Sequence, residues 1–195
     1  DMTKPSKDRP RRILLMAAMT NGKTIVACRM VKKQPPPELF EEKQQLLRFV
    51  SLIPVENDAA VFETQNRMWC TSAEFLEVNC GDDEEHALLL CNYFKFIGLD
   101  AYVLLGYDYI NGKTAYVATK EANRVTLYDP MGGFQWSSKD RECPFYSVGM
   151  IFNEDNVWAN IQEDTAPYTI DWNIHNTRSW YPFFTPDFPK PIFES

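Results

Sequence analysis

Hydrophobic and polar positions along the chain switch between two periods. Residues 13–19 ("ILLMAAM") and 24–31 ("TIVACRMV") are β-prone runs on either side of Asn21-Gly22, a dipeptide that accepts positive φ at both hairpin turn positions. The run Pro35–Pro37 predicts a stiff extended link. In "ELFEEKQQLLRFVSLI", Leu39, Leu46, Leu47 and Val50 fall at helical spacing. Residues 54–69 read as irregular surface, and "TSAEFLEV" as a short helix capped by Thr71 or Ser72. The clearest stripe is Ala87, Leu90, Cys91 and Phe94, which predicts a helix over 83–96 ended by Gly98. Downstream, "AYVLLG", "TAYVAT", "RVTLY", "FYSVGMIF" and "VWANIQ" read as strands, the first two around Asn111-Gly112. The end, "NTRSWYPFF" and beyond, predicts an aromatic helix turn and a Pro-rich extended tail, with Trp180, Phe183 and Phe184 covering the core. The outline is α+β: a long helix packed on one face of an antiparallel sheet.

Composition narrows the partners. The chain has 195 residues, 45% hydrophobic and 14% aromatic, which suits one packed domain. The expected division is a hairpin extension and linker over 1–34 and the main domain over 35–195. A net charge of −7 excludes generic binding to nucleic acid or to an anionic membrane. The longest purely apolar run, residues 13–19, is too short to insert in a bilayer and leads to no cleavage site, so neither a span nor a signal peptide is expected. Five cysteines without a C-x-x-C pair argue against structural zinc and a disulfide framework, and for a reducing cytosol.

The chemistry concentrates at "NCGDDEEHALLLCNYF", residues 79–94. Asp82 is an N-cap, and Glu85 three residues later completes a capping box. Asp83 and Glu84 lie in the first turn, where the helix dipole favours each carboxylate by about 0.3–1 kcal/mol. Helix-start chemistry thus accounts for all four acids. Cys91 sits on the apolar stripe as a core residue, and His86 on its flank is expected to be partly exposed. Consecutive helical residues point in different directions, so no metal site and no cofactor is expected.

The blocks "GDDEEHALLLCNYF", "GLDAYVLLGY", "TAYV" and "VTLYDPMGG" resemble, in that order, the transglutaminase-like (papain-like) core. Active members carry a Cys at the helix head, a His opening an "HAWV"-like strand and an Asp in a "DP"-like run. By that resemblance the nucleophile position is Asp83, the base position is Thr114, and the orienting acid is Asp129. From about Arg11 to Phe184 the chain is similar to the C-terminal region of the ciliary coiled-coil and C2 domain-containing family, through "PPPELF", "RFVSLIP" and "DNVWANIQ" among others. A related centrosomal family keeps Cys and His in the matching blocks.

Acyl transfer needs a thiolate, a base within reach and a group orienting that base. Asp83 is a poor attacker on amides and Thr114 cannot serve as a base, so the resemblance implies a pseudoenzyme. The implied role is a peptide-binding scaffold at the ciliary base and transition zone, needed for cilium assembly, with B9-domain and tectonic-like partners and a tubulin or other peptide tail as ligand. Its groove is expected to pass Trp69, Asp83, His86, Thr114, Tyr116 and Asp129. Tubulin tails are acidic, like the junction, so a basic peptide or a free amine fits better. Three alternatives stand beside this: a cysteine-type hydrolase or transferase using Cys80, with or without His86; a carboxylate dyad of Asp83 and Asp129; and a structural module packed on a neighbouring C2 domain, its groove filled by the aromatic tail.

Overall fold

The computed structural model describes residues 16–19, 22–37, 40, 42–56 and 68–191. A short hairpin pairs β1 (Met16–Ala18) with β2 (Thr24–Val26), and a 3-10 turn over Ala27–Met30 follows. Gly22 holds φ +79°, as the hairpin turn requires. The strand expected over 24–31 therefore ends at Val26. Residues 13–15 and Asn21 lie outside the described residues.

Three helices follow: α1 (Lys43–Ser51), α2 (Ser72–Val78) and α3 (Asp83–Phe96). Leu46, Leu47 and Val50 of α1 are buried, while Leu39 lies outside the described residues. Thr71 caps α2 as expected, its hydroxyl accepting from the Glu74 N–H at 3.3 Å. Gly98 at φ +86° closes α3 in the left-handed conformation.

The remaining strands form one antiparallel sheet in the order β6-β5-β4-β3-β7-β8-β9. They are β3 (Ala101–Asp108), β4 (Gly112–Glu121), β5 (Arg124–Asp129), β6 (Phe134–Ser137), β7 (Phe145–Phe152), β8 (Val157–Asn160) and β9 (Trp180–Pro182). Two differ from the sequence reading. β6 falls in a stretch that carries no strand expectation. β9 replaces the aromatic helix turn: Trp180–Pro182 pairs with Trp158–Asn160, and the Trp180 indole donates to the Asp171 carbonyl at 2.6 Å.

Alternation along the strands sorts side chains to two faces. Ala115 and Val117 join Leu88, Leu90 and Phe94 of α3 in one buried cluster. Tyr116, Ala118, Leu127 and Phe145 form a second cluster on the opposite face, closed by Trp172, Ile174 and Trp180. The helix-bearing cluster also takes in Ala17, Met19, Cys28 and Met30. The Lys32 N–H donates to the Asn92 side chain at 2.8 Å, and the Trp69 N–H donates to the Ala18 carbonyl at 2.7 Å. Described residues on both sides of the expected division at residue 34 thus contribute to one buried cluster.

Candidate functional site

The entrance to α3 carries the expected cap. The Asp82 side chain accepts from the Glu84 N–H at 3.0 Å, and Glu85 Oε2 accepts from the Asp82 N–H at 3.0 Å. The setting differs from the sequence reading, because the four acids are buried: Asp82 8%, Asp83 7%, Glu84 1% and Glu85 3% exposed. Two segments close over them. Residues 54–56 bridge to Gly81, with Gly81 N–H to the Pro54 carbonyl at 3.3 Å and Glu56 N–H to the Gly81 carbonyl at 2.9 Å. On the other side the Cys70 N–H donates to Glu85 Oε1 at 3.1 Å. A buried carboxylate is tolerated when donors or cations meet it. Lys113, from β4, places its Nζ 4.0 Å from Glu84 Oε1. Asp82, Asp83 and Glu84 offer oxygens within 4.8 Å of one another, the one grouping among the described residues with a donor set suited to a hard cation.

His86 is wholly buried rather than partly exposed. Its Nδ1 lies 2.6 Å from the Asp82 carbonyl and its Nε2 3.0 Å from the Ile53 carbonyl. Both ring nitrogens thus face backbone carbonyls, which can only accept. The ring also meets Phe75 edge-on, centroids 4.9 Å apart. His86 thus pins α3 to the turn that follows α1.

Beside this junction lies an open groove of about 510 Å³, lined by Val55, Ile110, Asn111, Asp129, Met131, Gly132, Phe134, Trp136 and Pro144. Two aspartates build its walls as Asx turns. Asp108 Oδ1 accepts from the N–H groups of Ile110 and Asn111, which shapes the β3–β4 loop. Asp129 Oδ1 accepts from Met131 N–H at 3.0 Å and Gly132 N–H at 2.9 Å, which shapes the turn into β6. Val55 supplies the wall nearest α3.

Of the six residues expected to line a groove, only Asp129 does so. Trp69 is 1% exposed and packs near Phe152, ring centroids 6.2 Å apart, so it belongs to the core. Thr114 and Tyr116 share the sheet face away from α3, whereas Lys113 reaches the helix. The reason is the two-residue period of β4: with Ala115 and Val117 against α3, their neighbours must point the other way. Asp83 and His86 sit at the helix start, beneath residues 53–56. Thr114 Oγ1 and the Tyr116 hydroxyl are buried without a hydrogen-bond partner. No described residue of the aromatic tail lines the groove.

The sequence reading missed Val55, Ile110, Phe134 and Trp136, which come from two loops and from an unexpected strand. The Asn111-Gly112 turn is the one signal that marks Ile110.

Burial and nearby carboxylates raise several of the thiols. Burial pushes the Cys91 thiol up to about 12. Burial, then the nearby Asp140, Asp129 and Asp108 charges, push Cys143 up to about 11. Cys80 is also raised, by partial desolvation and by Glu56, whose carboxylate its thiol meets at 3.8 Å. A raised thiol is a poorer source of thiolate.

The Asp129 carboxyl is held above the usual carboxylate range, chiefly by burial, with the Gly132 and Met131 N–H groups and the His86 charge opposing and Asp108 adding to it. A raised folded-state value means that the folded chain binds the proton more tightly than the unfolded one. Asp129 therefore favours folding at acid pH, and that contribution is lost as pH rises through its folded value. Asn keeps an oxygen for the Met131 and Gly132 N–H groups and never ionises. Asp129→Asn is expected to leave Tm at neutral pH unchanged or higher, and to flatten Tm against pH through the carboxylate range. A clear loss of Tm at neutral pH would contradict this.

Residues 67–183, more than half of the chain, match the family described as CEP76 peptidase-like domain. Human protein CC2D2B is 33% identical over 179 residues, covering 87% of this chain and 12% of that protein. Drosophila melanogaster coiled-coil and C2 domain-containing protein 2A is 22% identical over 183 residues, covering 90% and 14%. Human centrosomal protein of 76 kDa is 26% identical over 187 residues, covering 88% and 28%. The chain thus corresponds to a minor part of each relative. Among solved structures, calcium-bound Legionella pneumophila LapG superposes with a TM-score of 0.53 at 15% identity, over 69% of this chain and 75% of that one. That likeness shows the transglutaminase-like fold, a helix on an antiparallel sheet, and the match over residues 67–183 places the chain in the CEP76 peptidase-like domain family.

Proposed function

We propose that this domain is a non-catalytic member of its family: a peptide-binding scaffold within a longer protein of the ciliary base and transition zone. The observation that carries the non-catalytic reading is the α3 entrance. There, Asp83 stands where the fold's nucleophile is expected, among buried carboxylates. The base expected to serve it is Thr114, on a strand face turned from the helix. His86 spends both ring nitrogens on backbone carbonyls. Cys80, the substitute nucleophile, has its thiol raised by partial desolvation and then by its neighbour Glu56. The groove next to this junction is open, which supports binding over a purely structural role.

The cellular setting follows from the relatives, one of them named as centrosomal. Protein partners of the B9-domain and tectonic-like kinds, and a part in cilium assembly, belong to the same reading.

A thiol-directed peptide vinyl sulfone tests it. Native protein is expected to show no labelling that saturates with probe concentration, before or after Cys80→Ala. Saturable labelling that Cys80→Ala abolishes would overturn the reading in favour of a cysteine enzyme.

A further inference from the structure

The groove has an uneven chemistry. Val55, Ile110 and Phe134 leave 55%, 78% and 63% of their surface in water around one cleft. Large apolar side chains clustered in this way mark a contact site. Among the lining residues the only ionisable group is Asp129. Behind the groove, Tyr116 stacks on Trp136 with centroids 6.3 Å apart, and its buried hydroxyl lacks a partner. Burial, then the charges of Asp129 and Asp108, oppose ionisation of that hydroxyl. The polar side of the groove thus offers negative charge and oxygen acceptors, backed by the Trp136 ring, and among the described residues no lysine or arginine lines it.

Building on the peptide-binding reading, we propose that the groove takes a peptide segment whose lysine ammonium meets Asp129, with apolar flanking residues against Trp136, Phe134, Ile110 and Val55. Charge complementarity selects the occupant. An acidic segment would set like charges together in a partly desolvated cleft, and a chain of net charge −7 steers cations toward itself. Lysine fits better than arginine. Asp129 Oδ1 already accepts two backbone N–H groups, so a bidentate guanidinium fork has one oxygen where it needs two. A compact ammonium needs only the other oxygen, and gains further from an aromatic face nearby.

The test is an array of short labelled peptides with randomised apolar flanks and the central position fixed as Lys, norleucine or Glu, applied to the wild type, Asp129→Asn and Trp136→Ala. The Lys pool is expected to bind about tenfold or more tighter than the norleucine pool, and the Glu pool weakest. Asp129→Asn is expected to bring Lys down to norleucine, and Trp136→Ala to weaken all pools. Norleucine equal to Lys in the wild type, or Glu the tightest, overturns the lysine assignment while peptide binding in the groove stands. No binding by any pool, with Trp136→Ala indifferent, overturns both.

Discussion

Replacing Gly106 by alanine is expected to be among the most destabilising single substitutions in this chain. Gly106 lies mid-strand in β3, between Thr114 of β4 and Val148 of β7, where the β3–β7 register shifts. A Cβ there would come to 1.9 Å from the Ser147 carbonyl oxygen and 2.7 Å from the Phe145 ring. Real Cβ atoms do not approach so closely, and the nearer obstacle is backbone that cannot rotate away. Relief requires β7 to move off β3 at the centre of the sheet. Phe145 is wholly buried and stacks on Tyr116, centroids 4.6 Å apart, so it has no free space to enter. Overpacking of this kind costs about 3 kcal/mol or more, a large part of the roughly 5–15 kcal/mol that holds a domain together. The matching fall in Tm is about 6–12 °C for a chain of this size. Gly149→Ala is the control: its Cβ would lie 3.3 Å from the Leu105 carbonyl, a contact that small shifts absorb. Urea unfolding of the two variants side by side decides the matter. Gly106→Ala with the midpoint of the wild type would refute the packing argument.

Local chemistry was legible in the sequence, and distant chemistry was not. The α3 cap could be read because Asp82 and Glu85 satisfy N–H groups within three residues of themselves. The same four residues gave no sign of burial, since the segment covering them is Pro54–Glu56, linked to Gly81 by contacts that no periodicity records. His86 was misread for the same reason: its second partner is the Ile53 carbonyl, 33 positions away. Trp69, expected at the groove that the resemblance implies, lies in the core, where its N–H bonds to the Ala18 carbonyl. The strands of the middle of the chain followed from alternation and Asn-Gly turns, but their order did not, since β7 pairs with β3 rather than with the strand before it in sequence. β6 and β9 did not, being four and three residues long and too short to show a period. The groove is the extreme case. Its lining comes from residues 55, 110, 111, 129, 131, 132, 134, 136 and 144, and of these only Asp129, Met131 and Gly132 lie in a block with the fold-family resemblance.

This division predicts what His86 does. If it were a proton carrier surviving from an enzyme, its replacement would alter chemistry and spare the fold. The structure makes it a staple instead, so His86→Leu is expected to cost about 2–4 kcal/mol. The Asp82 carbonyl would keep its helical bond from the His86 N–H, 3.2 Å long. The Ile53 carbonyl would lose the ring N–H that meets it, and the ring's contact with Phe75 would go too. The loss extends to the groove, because Ile53 is followed directly by Pro54 and Val55, the wall nearest α3. The Gly81 and Glu56 N–H groups, which hold that wall to the helix entrance, are expected to exchange hydrogen faster in His86→Leu, while amides at the β3–β4 centre follow the global loss alone. His86→Gln, whose single amide NH2 group can meet the Ile53 carbonyl, falls between. Selective exchange at residues 56 and 81 marks the staple. Unchanged stability with unchanged exchange there would return His86 to the list of candidate proton carriers and reopen the enzymatic reading.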